Sequence, residues 1–202
     1  MENPSPTREK ILAAGIRALL EHGYEGTGIG PLLASVDVPK GSFYHFFPSK
    51  EDFAAAVLDS YVAHYRAHRL AVFGDASRPP LARLDAYFAH LEAEALGGTE
   101  LAGCLYGVLA QSVGGLGPEL RGRLAAAFAR WEQDLAALIT EAQQVGEVDP
   151  ALDPADAAAG LIDFYEGAIV RARAGDGPAA FRRLRRFARA VLGLPAAAAP
   201  SR

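Results

Sequence analysis

Residues 39–50 read Pro39-Lys40-Gly41-Ser42-Phe43-Tyr44-His45-Phe46-Phe47-Pro48-Ser49-Lys50. Pro39 suits the first position of a helix, and Pro48 must end it. Between them Phe43, Phe46 and Phe47 are placed to face inward, which leaves Lys40, Ser42, Tyr44 and His45 outside. That mixture is odd for a core helix. Small residues at its N-terminal end let the backbone approach a groove. The hydroxyls, the imidazole and the two lysines suit phosphates and base edges. On spacing alone the pattern also fits a solvated face over an ordinary aromatic cluster.

Working outward, an apolar segment runs from Ile29 through Leu32, Leu33 and Ala34 to Val36, and Asp37-Val38 makes a tight turn. Two short helices at 29–36 and 39–46 have helix-turn-helix proportions. Upstream, Thr7 is a candidate N-cap, and Ile11, Leu12, Ile16, Leu19 and Leu20 follow helical spacing. Gly23 is a natural stop before a loop at 24–28. Residues 1–6, with two prolines, are expected to fray. Downstream, Ser49 caps a long helix over 50–71, with Asp52 three residues on as a short-armed capping box. After a linker at 73–80, helices are expected at 81–96, 101–113, 118–145, 154–173 and 178–192, separated by Gly- and Pro-rich breaks. The fold class is all-α with about nine helices. A three-helix head over 1–50 precedes a larger helical body over 51–195 and a disordered tail at 196–202.

Composition fits this reading. The 202 residues carry a net charge of −4 and are 50% hydrophobic, which supports a real core. No apolar run reaches the ~18 residues of a membrane span, and the N-terminal stretch lacks the apolar region of a secretory signal. One cysteine, Cys104, fits a reducing cytoplasm. Mild acidity gives no global nucleic-acid signal, so any DNA contact must be local. Over residues 1–50 five basic residues balance five acidic ones, yet Lys40 and Lys50 enclose the reading helix with no carboxylate between them. All three lysines fall in this region; the other seventeen of the twenty basic residues are arginines.

The stretch Gly23-Tyr24…Thr27…Ile29…Leu33-Ala34…Val38-Pro39-Lys40-Gly41-Ser42-Phe43-Tyr44-His45-Phe46-Phe47-Pro48-Ser49-Lys50-Glu51 resembles the TetR family of bacterial transcriptional repressors. The resemblance covers most of residues 8–55. It implies that Thr27, Lys40, Tyr44, His45 and Lys50 contact phosphates, and that Pro39, Gly41 and Ser42 approach base edges in the major groove. It also implies a homodimer on an inverted-repeat operator in double-stranded DNA, and a body that binds a small-molecule effector. Three departures stand out. Gly28 replaces the usual Ser/Thr cap, Pro31 sits in the following first turn, and Asp37 replaces a turn glycine. A glycine cap is weaker by only about a few tenths of a kcal/mol, a first-turn proline is tolerated, and Asp tolerates the left-handed region.

In the body, Gly103-Cys104-Leu105, Arg130-Trp131-Glu132 and Tyr165-Glu166-Gly167-Ala168 resemble the NemR/AcuR-like branch of that family. The candidate effector residues are Cys104, Trp131, Tyr165 and Glu166. Cys104 is a small buried hydrophobe or a sensing thiol, and its expected place near the start of a helix opening around 99–101 favours a thiolate. Trp131 is core or pocket wall, and Glu166 orients a ligand or pairs with Arg171 or another arginine. Two C-terminal helices carry apolar faces suited to a four-helix dimer interface, with Leu161, Phe164, Leu184, Phe187 and Val191 as candidates. The run Arg182, Arg183, Arg185, Arg186, Arg189 reads as a solvated face or as partners for acids across the dimer.

His64 and His68 sit four apart, but no third clustered ligand accompanies them, and neither metal nor cofactor is expected. Ala110-Gln111-Ser112-Val113-Gly114 is like a nucleophile elbow. That fold needs a histidine after the serine, and all five histidines precede it. No enzyme is expected. A helical interaction module without DNA binding is the remaining rival, and the intact Lys40–Lys50 tract argues against it.

Overall fold

Ile11, Leu12 and Leu19 share the buried face of the first helix, and Gly15 lets the fourth helix approach it closely. A Cβ on Gly15 would lie 2.6 Å from Phe53 Cζ and 2.7 Å from Val57 Cγ2. The computed structural model describes residues 5–97 and 103–194. Among them lie α1 (Pro6–Gly26), α2 (Ile29–Ala34), α3 (Lys40–Phe46), α4 (Lys50–Phe73), α5 (Pro80–Gly97), α6 (Leu105–Gln111), α7 (Pro118–Gln144), α8 (Pro154–Arg171) and α9 (Pro178–Val191). A 3-10 turn spans Val113–Gly115 and a π turn Ala172–Asp176. No strand occurs among the described residues. The tail at 196–202 and the helix start at 99–101 lie outside them.

Local chemistry explains the boundaries. Ser5, not Thr7, is the N-cap of α1, because Pro6 fits the first helical position, where an N–H has no partner to lose. Gly23 breaks α1 with φ 69° and ψ −179°, a conformation open to glycine, and helical turns resume to Gly26 where a loop was expected. At the start of α4, Asp52 N–H donates to Ser49 Oγ at 3.1 Å, and the Ser49 hydroxyl donates to Asp52 Oδ2 at 2.7 Å. The shorter acid thus closes the box through the hydroxyl rather than the Ser49 backbone N–H. Asp153 caps α8 by accepting from Ala155 N–H at 2.8 Å and Asp156 N–H at 3.3 Å. The helix expected at 101–113 is shorter. It opens at Leu105 with Cys104 as N-cap and ends at Gln111, where the chain tightens into the 3-10 turn.

The chain divides into two compact units, Met1–Arg66 with Gly103–Phe128 and Ala67–Ala102 with Ala129–Arg202. In the first, α6 packs on α1, so the three-helix head is part of a larger body. Its core joins Ile11, Leu19, Phe43, Phe53 and Leu58 to Leu105, Leu109 and Leu120. In the second, α8 packs on α9, and Tyr87, Leu135, Leu161, Tyr165 and Phe181 are buried. Arg69 and Arg83 are buried with them. Arg69 donates to Asp134 Oδ2 from Nε at 3.1 Å and from Nη2 at 2.8 Å. Arg83 donates to the Phe73 carbonyl and to Glu141.

Candidate nucleic-acid interface

Aromatic rings anchor α3 from beneath. Phe43 stands 5.3 Å, centroid to centroid, from both Phe47 and Phe53, and Phe47 stands 5.4 Å from Phe53. Phe43 and Phe47 are buried, while Phe46 is only half-buried. Edge-to-face packing of this kind adds to the burial energy of the rings and fixes the helix rotation.

That rotation leaves Pro39, Lys40, Gly41, Tyr44 and His45 exposed, with Ser42 and Lys50 half-exposed. Tyr44 keeps one edge on Phe43, at 5.2 Å and 90°, yet is 52% exposed. A Cβ added at Gly41 would meet nothing within 4 Å, so this backbone is open to a groove wall. The turn into α3 is pinned. Val38 N–H donates to the Leu33 carbonyl at 3.1 Å, and Asp37 takes φ 52°, the left-handed conformation expected of it. Gly28 is the N-cap of α2 and offers no side-chain cap.

Lys50 is held from α1. Its ammonium lies 4.8 Å over the Tyr24 ring and donates to the Glu25 carbonyl at 3.4 Å. Burial, and then the carboxylates of Glu51 and Glu25, push the Tyr24 phenol above its ordinary pKa.

Thr27 departs from its expected role. It is 1% exposed, and its hydroxyl lies 2.7 Å from the Gly23 carbonyl and 3.1 Å from that of Ala18. The hydroxyl is turned toward backbone carbonyls of α1 and away from the surface.

The four candidate effector residues fall in different units. Cys104 is buried in the first, ahead of α6. Trp131, Tyr165 and Glu166 are in the second. There Trp131 and Tyr165 meet edge to face at 5.6 Å, and Phe88 and Phe181 each lie 6.4 Å from Tyr165. Glu166 is half-buried on α8. Arg171, one expected partner for it, is engaged by Asp176 at 3.0 Å. The Arg69–Asp134 pair was not anticipated, and the Arg69 guanidinium lies 6.0 Å from the Trp131 ring. No local sequence signal marks an arginine as buried.

On α8 and α9, Phe164 and Phe187 are exposed and meet at 5.8 Å. They line an open groove of about 270 Å³ with Asp163, Gly167, Arg171, Arg183 and Leu184. Leu161 is buried beneath this surface, and Leu184, largely buried, contributes only to the groove floor; Val191 is half-exposed. The arginine run is partly spent inside the chain, Arg183 on Asp176 and Arg185 on Glu92. Arg183, then Arg171, holds the Asp176 carboxyl below its ordinary pKa. A lowered carboxyl contributes stability above its unfolded pKa and loses it as pH falls through the folded one, so strong acid loosens this corner.

His64 stands edge-on to Tyr65, and His68 stacks on His90 at 3.8 Å. Among the described residues no group of three or more His, Cys, Asp or Glu is arranged to hold a metal ion, and no helix is long and apolar enough to cross a membrane.

The head and the body each match a family model. Residues 11–57 match "Bacterial regulatory proteins, tetR family", and residues 80–188 match "Tetracyclin repressor-like, C-terminal domain". The chain belongs to the TetR family. Among its TetR-family relatives is the transcriptional regulator AcuR of Cereibacter sphaeroides, 35% identical over 84% of this chain and 77% of that protein. The transcriptional repressor NemR of Escherichia coli is 30% identical over 83% of this chain and 84% of that protein. The crystal structure of a regulatory protein TetR from Rhodobacter sphaeroides superposes with a TM-score of 0.81 at 32% identity, covering 91% of this chain and 97% of that one. The expected branch is thus represented among the relatives, and this TetR-family chain is a DNA-binding transcriptional regulator.

Proposed function

We propose that this chain is a cytoplasmic homodimeric repressor that binds an inverted-repeat operator through α3 and is released by a small-molecule effector. The exposed polar face of α3, set on the buried Phe43 and Phe47, carries the reading. In the reading, Lys40, Tyr44, His45 and Lys50 contact phosphates, while Pro39, Gly41 and Ser42 approach base edges. Thr27 supports the end of α1 from inside. Residues 1–50 form the DNA-binding domain and 51–195 the effector-binding and dimerisation domain. Trp131, Tyr165 and Glu166 are the effector residues of the second unit, and Cys104 that of the first. A small electrophile or an acrylate-like acid is the effector class the NemR/AcuR likeness suggests. No catalytic role is assigned.

The test is a set of gel shifts on the wild-type protein's own target. Tyr44→Ala and Lys40→Ala, both folded, should weaken binding to all sequences about equally, and Lys40→Ala should lower the salt slope by about one for each phosphate it no longer neutralises. Ser42 substitutions should instead change which sequence is preferred. Wild-type affinity in both alanine variants would remove α3 from the interface and favour an interaction module.

A further inference from the structure

Lys50 stands next to two acidic residues whose carboxylates lie elsewhere. Glu51 follows it in sequence, and the Glu25 carbonyl accepts its ammonium. A free carboxylate beside that ammonium would neutralise it and repel a phosphate. Both carboxylates are drawn onto the segment that links α6 to α7. The Glu25 side chain lies against Gly115, where an added Cβ would overlap Oε1. The Glu51 side chain lies against Gly117, where a Cβ would overlap both carboxylate oxygens. Leu120 N–H, in the first turn of α7, donates to Glu51 Oε1 at 3.5 Å, and a helix N-terminus favours the negative charge. Neither Gly115 nor Gly117 takes a positive φ, so backbone conformation does not demand glycine at either position. The space does.

We propose that Gly115 and Gly117 are positioning residues for DNA binding: they seat the Glu25 and Glu51 carboxylates on the α6–α7 turn and so keep Lys50 available to a phosphate. The proposal rests on the reading of Lys50 as a phosphate contact. The atoms a new Cβ would strike are the ends of flexible side chains, so a methyl group at 117 displaces a carboxylate at small cost to folding. The displaced charge then falls to Lys50.

The experiment measures binding to a duplex carrying the inverted repeat selected by the wild-type protein, together with the melting temperature of every variant. Gly117→Ala should bind about tenfold more weakly at low salt, the size of an added charge a few ångströms from the ammonium, and the gap should narrow as salt rises. Adding Glu51→Gln should restore binding to within about twofold, because no charge is left to release. Lys50→Ala with Gly117→Ala should bind no worse than Lys50→Ala alone. Gly115→Ala with and without Glu25→Gln forms an independent second pair, should the first variant melt early. A Gly117→Ala protein that melts and binds as wild type, or a Glu51→Gln partner that gives no rescue, overturns the seat. Wild-type binding by Lys50→Ala overturns the phosphate reading itself.

Discussion

Asp134→Ala is expected to destabilise the chain by about 3–5 kcal/mol, the cost of stranding a buried charge. The Arg69 side chain is 2% exposed and that of Asp134 11%. Both Nε and Nη2 of Arg69 donate to a single carboxylate oxygen, at 3.1 and 2.8 Å. Removing the carboxylate leaves the guanidinium beside Trp131, shielded from the water that would otherwise solvate it. Such a loss is a large part of the net stability of most domains, about 5–15 kcal/mol. Urea unfolding followed by far-ultraviolet circular dichroism reads the shift. The paired change Arg69→Met with Asp134→Leu should cost much less, since an apolar pair of similar volume often matches a buried ion pair. An Asp134→Ala unfolding free energy within about 0.5 kcal/mol of wild type, the range of an ordinary surface change, would mean that the pair holds nothing in place.

Phe187→Glu should convert a dimer to a monomer and weaken operator binding by about 10²-fold or more, because linked half-sites gain that much from joint engagement. Phe187 is 47% exposed and stacks near Phe164, itself 38% exposed, over the α8–α9 groove. An exposed aromatic pair on two adjacent helices is the kind of surface a two-fold partner covers. A carboxylate there would be desolvated against its own symmetry mate. Leu184 is the wrong place for this test. It is buried within the chain, so a charge there would report on folding. Light scattering that gives the wild-type protein the mass of one chain at micromolar concentration would defeat the expectation.

The exposed polar face of α3 was legible because its determinants are local. Pro39 and Pro48 bound α3, Phe43 and Phe47 sit one turn apart on one face, and Asp37 marks the turn. The helix ends were legible to within a few residues for the same reason. What was not legible depends on contacts distant in sequence. Arg69 and Asp134 lie 65 residues apart, and an arginine within a helix carries no mark of burial. Thr27 reads as a polar loop residue, and only the course of α1 shows that its hydroxyl turns inward. On α8 and α9 the apolar faces were correctly placed. Yet Leu161 and Phe164, like Leu184 and Phe187, are one turn apart, and periodicity cannot say which member faces the chain's own core. The roles of Gly115 and Gly117 were hidden in a glycine-rich break that looked like a simple connection.

Selection from a pool of random duplexes with the purified protein, followed by sequencing of the bound fraction, tests sequence-specific operator binding most directly. The expected result is enrichment of one inverted repeat whose half-sites lie about one helical turn apart, or a multiple of it. That enrichment should be lost when the pool is challenged with Tyr44→Ala. A bound fraction with no enriched sequence, or the same motif enriched by Tyr44→Ala, would contradict the account.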